Sequence, residues 1–512
     1  MCKMINQYAD KIKGSFSFFD RMIVNGYIHP FFFDYVRTFA LSKLGVLYKD
    51  FKPFVMGITE SIKSQIEDGA IELGRPVQYL SSAKTNKESI ARSILENDKI
   101  DEGLICVVKT MECCQTAKVF GSDEGKLVLK STSTKCLHYY LYYLDKEFGF
   151  MFVKIQTWFP FNIQIYINGR EFMKSIFNKN DISFQCYDNS FTDISDVAKA
   201  QELADNFDSA KLCRRLDHFA RIINPFLDTV EKEFGHGYFW CVNQCEYATD
   251  IMFKNREDLE DIYPSLVDHA FSSLLCTDIF SFLGRKLSPQ FQGEAVSDFK
   301  KRPIGYRVKF KLNSDSIKMY DKYSVLRIEV TINNPREFKV FGTVHHKDGT
   351  ESQQWKPMGK SIQNLYRYAE ISKAANQRFL DAMVDIITVK STIDKIDKVS
   401  SSKTVGGKRV TAFNLWNPET VSLMEIICDG RFFIKGFRNK DIASALFLEI
   451  KNSHKRSSKT SRLLRKLRDH GLIKKVPKSR RYHVTSNGRQ IMGSLLDIRQ
   501  RTFPDAVAHA NV

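Results

Sequence analysis

The 512-residue chain lacks most of the short signatures that announce a familiar chemistry. It has no Walker A loop, no Gly-x-Gly-x-x-Gly fingerprint and no Gly-x-Ser-x-Gly elbow. Phosphate-cradling loops, dinucleotide turns and hydrolase nucleophile elbows are therefore not indicated. Its eleven cysteines include no Cys-x-x-Cys; Cys113 and Cys114 are adjacent, and Cys241 and Cys245 lie four apart. An odd, irregular set argues for reduced thiols in a cytosol rather than a disulfide framework. No Cys/His cluster has the ligand spacing of a structural zinc site. No run of eighteen apolar residues occurs, so no membrane span is expected. The segment Met1-Cys2-Lys3-Met4-Ile5-Asn6 has no apolar signal-peptide core. These absences place the expected protein in the cytoplasm, nucleoid-associated if bacterial. Internal repeats and low-complexity tracts are also missing.

What is present is aromatic and basic. Forty Phe and twenty Tyr favour sheets and cores of large residues. An apolar share of 43% and a charged share of 27% describe a globular chain of two to four domains. The net charge of +18 is unevenly spread. Residues 431–512 hold twenty Lys and Arg against five Asp and Glu, a surplus of +15, which leaves only +3 for the first 430 residues. A charge concentrated in this way is the footprint of a polyanion-binding surface, the bland alternative being a solubilising tail.

The expected fold class is α+β: a large mixed or antiparallel sheet body with helices, followed by a C-terminal winged helix-turn-helix. Residues 1–169 read as an α+β region. It has helices over Glu60–Glu67 and Lys87–Glu96 and a buried strand over Gly103–Lys109. It ends in a meander of Leu137–Leu144, Phe150–Gln156 and Phe161–Ile167, closed by an Asn168-Gly169 turn. Residues 170–389 form a central α+β domain. Its strands are Tyr238–Phe253, a meander within Tyr306–Asn333, and Phe338–His345, and a long helix spans Met358–Ile387. The Ser- and Gly-bearing stretch 390–412 reads as a linker. Residues 413–500 form the last module, and 501–512 a tail.

Asn417-Pro418-Glu419 starts a helix, with Asn as cap and Pro in the first turn. Asn439 can cap a second helix, and Ser457 or Ser458 a third, which Gly471 stops. Leu463, Leu464 and Leu467 fall on one face of that third helix, with Ser461, Arg462 and Arg465 around the other. Leu472–Val476 and Arg481–Val484 then alternate as a hairpin around a basic tip. Ser461 to Ile473, the basic hairpin and Tyr482 to Arg489 resemble the recognition helix and wing of MarR- and ArsR-type winged helices. The resemblance covers about eighty residues and implies nucleic-acid binding, the alternative being a winged helix used for protein contacts. Phosphate contacts would come from Lys455, Arg456, Lys459, Lys474, Lys475, Lys478, Arg480 and Arg481. Base-edge contacts would come from Ser461, Arg462 and Arg465.

The strand Tyr238–Phe253 places Gln244, Glu246, Ala248 and Asp250 on one face by period two, and Val325–Thr331 places Arg327, Glu329 and Thr331 together. Acids on a sheet must be solvated, paired or holding a cation. Glu246-Tyr-Ala-Thr-Asp250, Lys318-Met-Tyr-Asp-Lys322 and Leu326-Arg-Ile-Glu-Val330 resemble motifs of rolling-circle replication initiators, which nick DNA on a palm-like sheet. That resemblance implies Glu246, Asp250 and Glu329 as ligands of Mg²⁺ or Mn²⁺, Lys322 as an electrostatic helper and Tyr320 or Tyr323 as nucleophile. The His-hydrophobic-His motif common in such nickases is absent; His345 and His346 are adjacent. Cross-strand ion pairing, such as Glu246 with Arg327, is the structural alternative. Over its whole length the chain is also similar to uncharacterised bacterial mobile-element-like proteins that share Cys136 to Tyr140, Thr157 to Phe161 and Glu246 to Asp250.

Two other groups have ordinary readings. Cys136 and His138 share a strand face and could form a nucleophile pair, but a packed histidine is the simpler reading. Trp158-Phe159-Pro160-Phe161 could stack unpaired bases but reads first as core. Three functions fit: a mobile-element or replication-type DNA-binding protein with a nicking site, a non-catalytic winged-helix regulator, or an RNA-binding scaffold.

Overall fold

The computed structural model describes every residue except 1–2, 33–34, 83, 289, 347, 384–392, 415, 433–435, 478 and 498–512. The chain is α+β, and it divides into two compact units: one holds residues 15–250 and 329–373, the other residues 1–14, 251–328 and 374–512. The division falls within three strands, Ile12–Ile28, Tyr238–Phe253 and Val325–Ile332. Among the described residues no helix is long and apolar enough to cross a membrane.

The first unit is built on a mixed sheet. Its strands are β1 (Ile12–Ile28), β2 (Val77–Leu80), β3 (Gly103–Gly121), β4 (Leu127–Asp145), β5 (Gly149–Gln156) and β6 (Ile163–Asn168). A small hairpin follows, β7 (Phe184–Tyr187) with β8 (Ser190–Ile194), and then β9 (Tyr238–Phe253). The sheet order is β9-β1-β6-β5-β4-β3-β2. Only the β2–β3 pair is parallel among the registers from β1 to β6. The meander expected over 137–167 is present. Its outer ladder is much longer than expected, because β3 and β4 stay paired from Gly103–Leu144 out to Gly121–Leu127.

Helix Phe51–Glu72 turns Phe51, Val55, Ile58, Ile62 and Ile66 inward and packs against β3. That spacing is the 3.6-residue stripe of a one-sided helix. The phenylalanines explain the remaining core: Phe16, Phe18, Phe177, Phe184 and Phe191 meet at centroid distances of 5.0–5.9 Å, mostly edge-on or tilted. Phe159 and Phe161 are also buried in the core, while Trp158 between them and β5 is half-buried. The expected Asn168-Gly169 turn is instead a helix start: Asn168 Oδ1 accepts from the Glu171 N–H at 3.2 Å and caps Gly169–Lys179.

The second unit holds a meander of β10 (Ala295–Lys301), β11 (Tyr306–Leu312), β12 (Asp315–Asp321) and the start of β13 (Val325–Ile332). Beyond it in sequence, the first unit has the hairpin β14 (Lys339–His345) with β15 (Glu351–Pro357). Helix Leu365–Met383 follows. The expected linker is partly folded. Residues 393–399 are helical, and Lys403–Val405 (β16) pairs with Lys408–Val410 (β17) around Gly406-Gly407. Val399 and Phe413 are buried with Leu423, Met424, Leu464 and Leu467 in one core, so this segment belongs to the C-terminal module.

Two glycines test the packing. A Cβ on Gly169 would lie 1.9 Å from the Phe19 carbonyl oxygen, whereas one on Gly57, in an exposed part of helix Phe51–Glu72, meets nothing within 4 Å. Gly169→Ala should cost about 2–3 kcal/mol through forced backbone displacement. Gly57→Ala should stabilise by about 0.5–1 kcal/mol through helix propensity. Denaturant midpoints of the two variants check this; equal effects would show that the Gly169 contact is not tight.

Candidate functional site

The C-terminal module consists of helices Pro418–Cys428, Asn439–Leu446, Ser453–Asp469 and Ser486–Asp497. A small sheet, β18 (Phe437–Arg438), β19 (Ile473–Lys475) and β20 (Arg481–Val484), has the order β18-β20-β19. Asn417 caps the first helix as expected, accepting from the Glu419 N–H at 2.9 Å. The other two caps differ. Arg438 occupies the second cap position, its N–H donating to Asp441 Oδ2 at 2.8 Å. Asn439 instead ties the second helix to the third: its Nδ2 donates to Ser457 O at 3.0 Å and to Ser461 Oγ at 2.9 Å. The third helix starts at Ser453 because Asn452 lies just outside in an extended conformation and accepts from the Lys455 N–H.

This longer helix has a clear polarity. Thr460, Leu464 and Leu467 are buried and Leu463 is half-buried, while Lys455, Arg462 and Arg465 are exposed on the opposite side. Three of the expected contact residues are occupied within the module. Ser461 is turned sideways to Asn439. Lys459 Nζ pairs with Glu419 Oε2 at 2.7 Å and lies over the Phe447 ring. Arg481 Nη1 donates to the Gly436 carbonyl at 3.1 Å, bracing β20. Arg456 is half-buried. On the hairpin, Lys474, Lys475 and Arg480 are exposed; Lys478 lies outside the described residues. The last helix is locked by Thr485, whose Oγ1 donates to Gly471 O at 2.7 Å and accepts from the Gly488 N–H at 2.9 Å. A Cβ on Gly488 would strike the Leu472 carbonyl at 1.9 Å.

Two histidines in the module are held neutral. Burial pushes His470 down, against the opposing bond to the Thr411 carbonyl. Burial and the neighbouring Lys474, Arg489 and Arg481 push His483 down. As pH falls, the unfolded module takes up these protons before the folded one does. Stability is therefore complete above the usual imidazole value of about 6.5 and is lost below it. A thermal scan should show a falling midpoint between about pH 7 and 5, reduced in His470→Gln; a flat profile would contradict the burial.

The second location is in the sheet of the first unit. Asp20 of β1, Glu246 of β9 and Glu329 of β13 bring carboxylate oxygens within 4.8 Å of one another. Their exposures are only 2%, 5% and 1%. Arg21 reaches in from the same strand as Asp20: Nη2 lies 2.5 Å from Glu246 Oε2, and Nε lies 3.8 Å from Asp20 Oδ2. Burial would lower the Arg21 pKa, but Glu246, Glu329 and Asp20 outweigh it and hold the guanidinium above its ordinary value. Gln244 Nε2 donates to Glu246 Oε1 at 3.2 Å, and Asn189 Nδ2 to Asp20 Oδ2 at 3.4 Å.

Asp250 is not part of this group. It is fully buried, and its Oδ2 accepts from the Phe191 N–H at 2.9 Å, fastening β8. The reason is simple: four residues along a strand span about 13 Å, too far for Glu246 and Asp250 to share one ion. Asp20 takes the place expected of Asp250. An acid–base pair, Asp20-Arg21, interrupting the aromatic and β-branched run of β1 was the signal for it. Arg327, two residues before Glu329, is fully buried.

The expected nucleophile segment lies in the second unit, at the β12–β13 turn. Lys322 Nζ sits 5.4 Å from the Tyr320 ring centroid. Tyr323 is half-exposed at φ 67°, and the Arg256 guanidinium donates to its carbonyl and pairs with Asp321 at 2.5 Å. A positive φ at a non-glycine residue marks a tight, committed turn.

In chemical terms, the first location presents exposed cations on a small closed core. The second is an all-oxygen donor set of the type that suits Mg²⁺ or Mn²⁺. No family model, curated protein or solved structure matches the chain.

Proposed function

We propose that this chain binds nucleic acid through its C-terminal module, acting as a winged helix on duplex DNA. The observation that carries the reading is the outward face of helix Ser453–Asp469, with Lys455, Arg462 and Arg465 exposed opposite its buried leucines. The hairpin of the same module adds exposed Lys474, Lys475 and Arg480. A helix with this polarity enters the major groove with cations toward base edges, and a basic hairpin alongside meets phosphates. Lys459, Ser461 and Arg481 have structural partners within the module and play a lesser part.

Binding should fall steeply with salt, as counterions are released from neutralised phosphates. Lys475→Ala should weaken all duplexes alike and reduce the slope of log K against log salt by about 1. Arg465→Ala should cost about 1–3 kcal/mol on the preferred sequence and much less on others. Fluorescence anisotropy across a salt series reads both effects. Salt-independent binding would sink the phosphate assignment, and tighter binding to structured RNA than to duplex would favour the scaffold reading.

A second reading rests on the convergence of Asp20, Glu246 and Glu329. These carboxylates would hold a divalent cation after the Arg21 side chain swings aside, and the cation would polarise a phosphodiester or activate a water. On that reading the protein nicks DNA as a mobile-element or replication-type enzyme. Mg²⁺-dependent nicking of a supercoiled plasmid should drop at least about 100-fold in Glu246→Gln and Asp20→Asn, on the scale of losing transition-state charge stabilisation. Asp250→Asn, which keeps the acceptor for Phe191, should retain it. Loss in Asp250→Asn equal to that in Asp20→Asn would refute this ligand set. Sequence-specific footprinting with no nicking in the unmodified chain would leave the non-catalytic regulator.

A further inference from the structure

The long β3–β4 ladder creates a second cluster that neither the DNA-binding nor the nicking reading uses. Register pairs Cys114 with Thr134 and Glu112 with Cys136, so Cys114 and Cys136 are diagonal neighbours on one face. Their Sγ atoms are 2.8 Å apart. His138 follows on that face, with its Nδ1 3.1 Å from the Cys136 carbonyl oxygen and 3.9 Å from Cys136 Sγ. One ligand atom from each of the three residues falls within 4.8 Å of the others. Cys136 and His138 are buried, whereas Cys114 is half-buried and gives the cluster its opening. Glu112, on the same face, is already held by the Tyr140 hydroxyl at 2.8 Å and by Lys154 Nζ at 2.7 Å.

We propose that Cys114, Cys136 and His138 form a binding site for a thiophilic d¹⁰ cation, Zn²⁺ being the leading case, with a fourth position open at Cys114. Two thiolates and an imidazole are the donor set of a borderline-soft ion, and three protein ligands leave one coordination position vacant. His138 Nδ1 lies 3.9 Å from Cys136 Sγ, so coordination through Nδ1 replaces its contact with the Cys136 carbonyl oxygen. Bonds of about 2.3 Å put two tetrahedral sulfurs roughly 3.8 Å apart, so the pair opens by about 1 Å on binding. His138 gives the site a third donor, which a Cys114–Cys136 disulfide would not use.

The test uses the full chain, stripped with a chelator, reduced and titrated with Co²⁺. One equivalent should produce the near-ultraviolet thiolate-to-cobalt band, and Zn²⁺ should displace it. Cys114→Ser and His138→Gln should each weaken Zn²⁺ binding by at least about tenfold, the range already seen for lost outer-shell partners. Cys113→Ser should bind like the unmodified chain, because Cys113 is exposed on the opposite face of β3. Counting thiols with an alkylating reagent gives a second readout: Zn²⁺ should protect two in the unmodified chain and none in Cys114→Ser, whose fold is checked by circular dichroism. Absence of the cobalt band in the reduced chain overturns the proposal, as does its equal loss in Cys113→Ser. Protection of Cys114 and Cys136 only after oxidation, without metal, would assign a disulfide pair instead.

Discussion

A carboxylate taken out of water needs a counter-charge, and the sheet of the first unit is organised around that constraint. Asp20, Glu246 and Glu329 are buried within 4.8 Å of one another on three different strands. Each would cost several kcal/mol if left ionised and unpaired. Arg21 supplies one guanidinium, while Gln244 donates to the other oxygen of Glu246 and Asn189 to Asp20 Oδ2. Arg327, two residues before Glu329, is also fully buried, so a second guanidinium lies in the same strand as one of the three acids. Asp250, in the same strand as Glu246, accepts instead from the Phe191 backbone N–H and fastens β8.

The C-terminal module solves the opposite problem. Many cations on a small fold repel one another, so the core behind them must be closed independently. It is closed by Leu423, Met424, Leu464, Leu467, Ile473 and Ile491, reinforced by Val399 and Phe413 from the preceding segment. Some cations are neutralised locally, as Lys459 is by Glu419. Lys455, Arg462 and Arg465 on the helix Ser453–Asp469, and Lys474, Lys475 and Arg480 on the hairpin, stay outward.

The ladder of β3 and β4 joins these themes. Its inner end is apolar and packed; its middle carries Glu112, Cys114, Cys136 and His138 on a partly open face. A strand this polar would not persist alone. It persists because pairing over the full hairpin satisfies its backbone groups, and pairing is what brings residues 22 apart in sequence to sulfur contact.

Much of this was legible in the residues. β9 was readable end to end because aromatic and β-branched residues make up half of it, and the helices of the tail module because the Asn417 cap and the leucine stripe of the third helix agree, although the other two caps were misplaced. β3 was legible only over its apolar first third, since the hydrophobic pattern ends where cross-strand pairing takes over. Ser400 to Ser402 and Gly406-Gly407 carried a linker signal that the burial of Val399 and Phe413 overrode. The sequence by itself determined the α+β class, the strand faces and the concentration of charge at the tail, because these follow from local periodicity and composition. Only the tertiary structure decided that Asp20, not Asp250, joins Glu246, that Ser461 faces Asn439, and that Cys114 meets Cys136. Each of these depends on which strand or helix lies alongside, and strand order and register are set by the packing of the whole sheet rather than by any residue's neighbours in the chain.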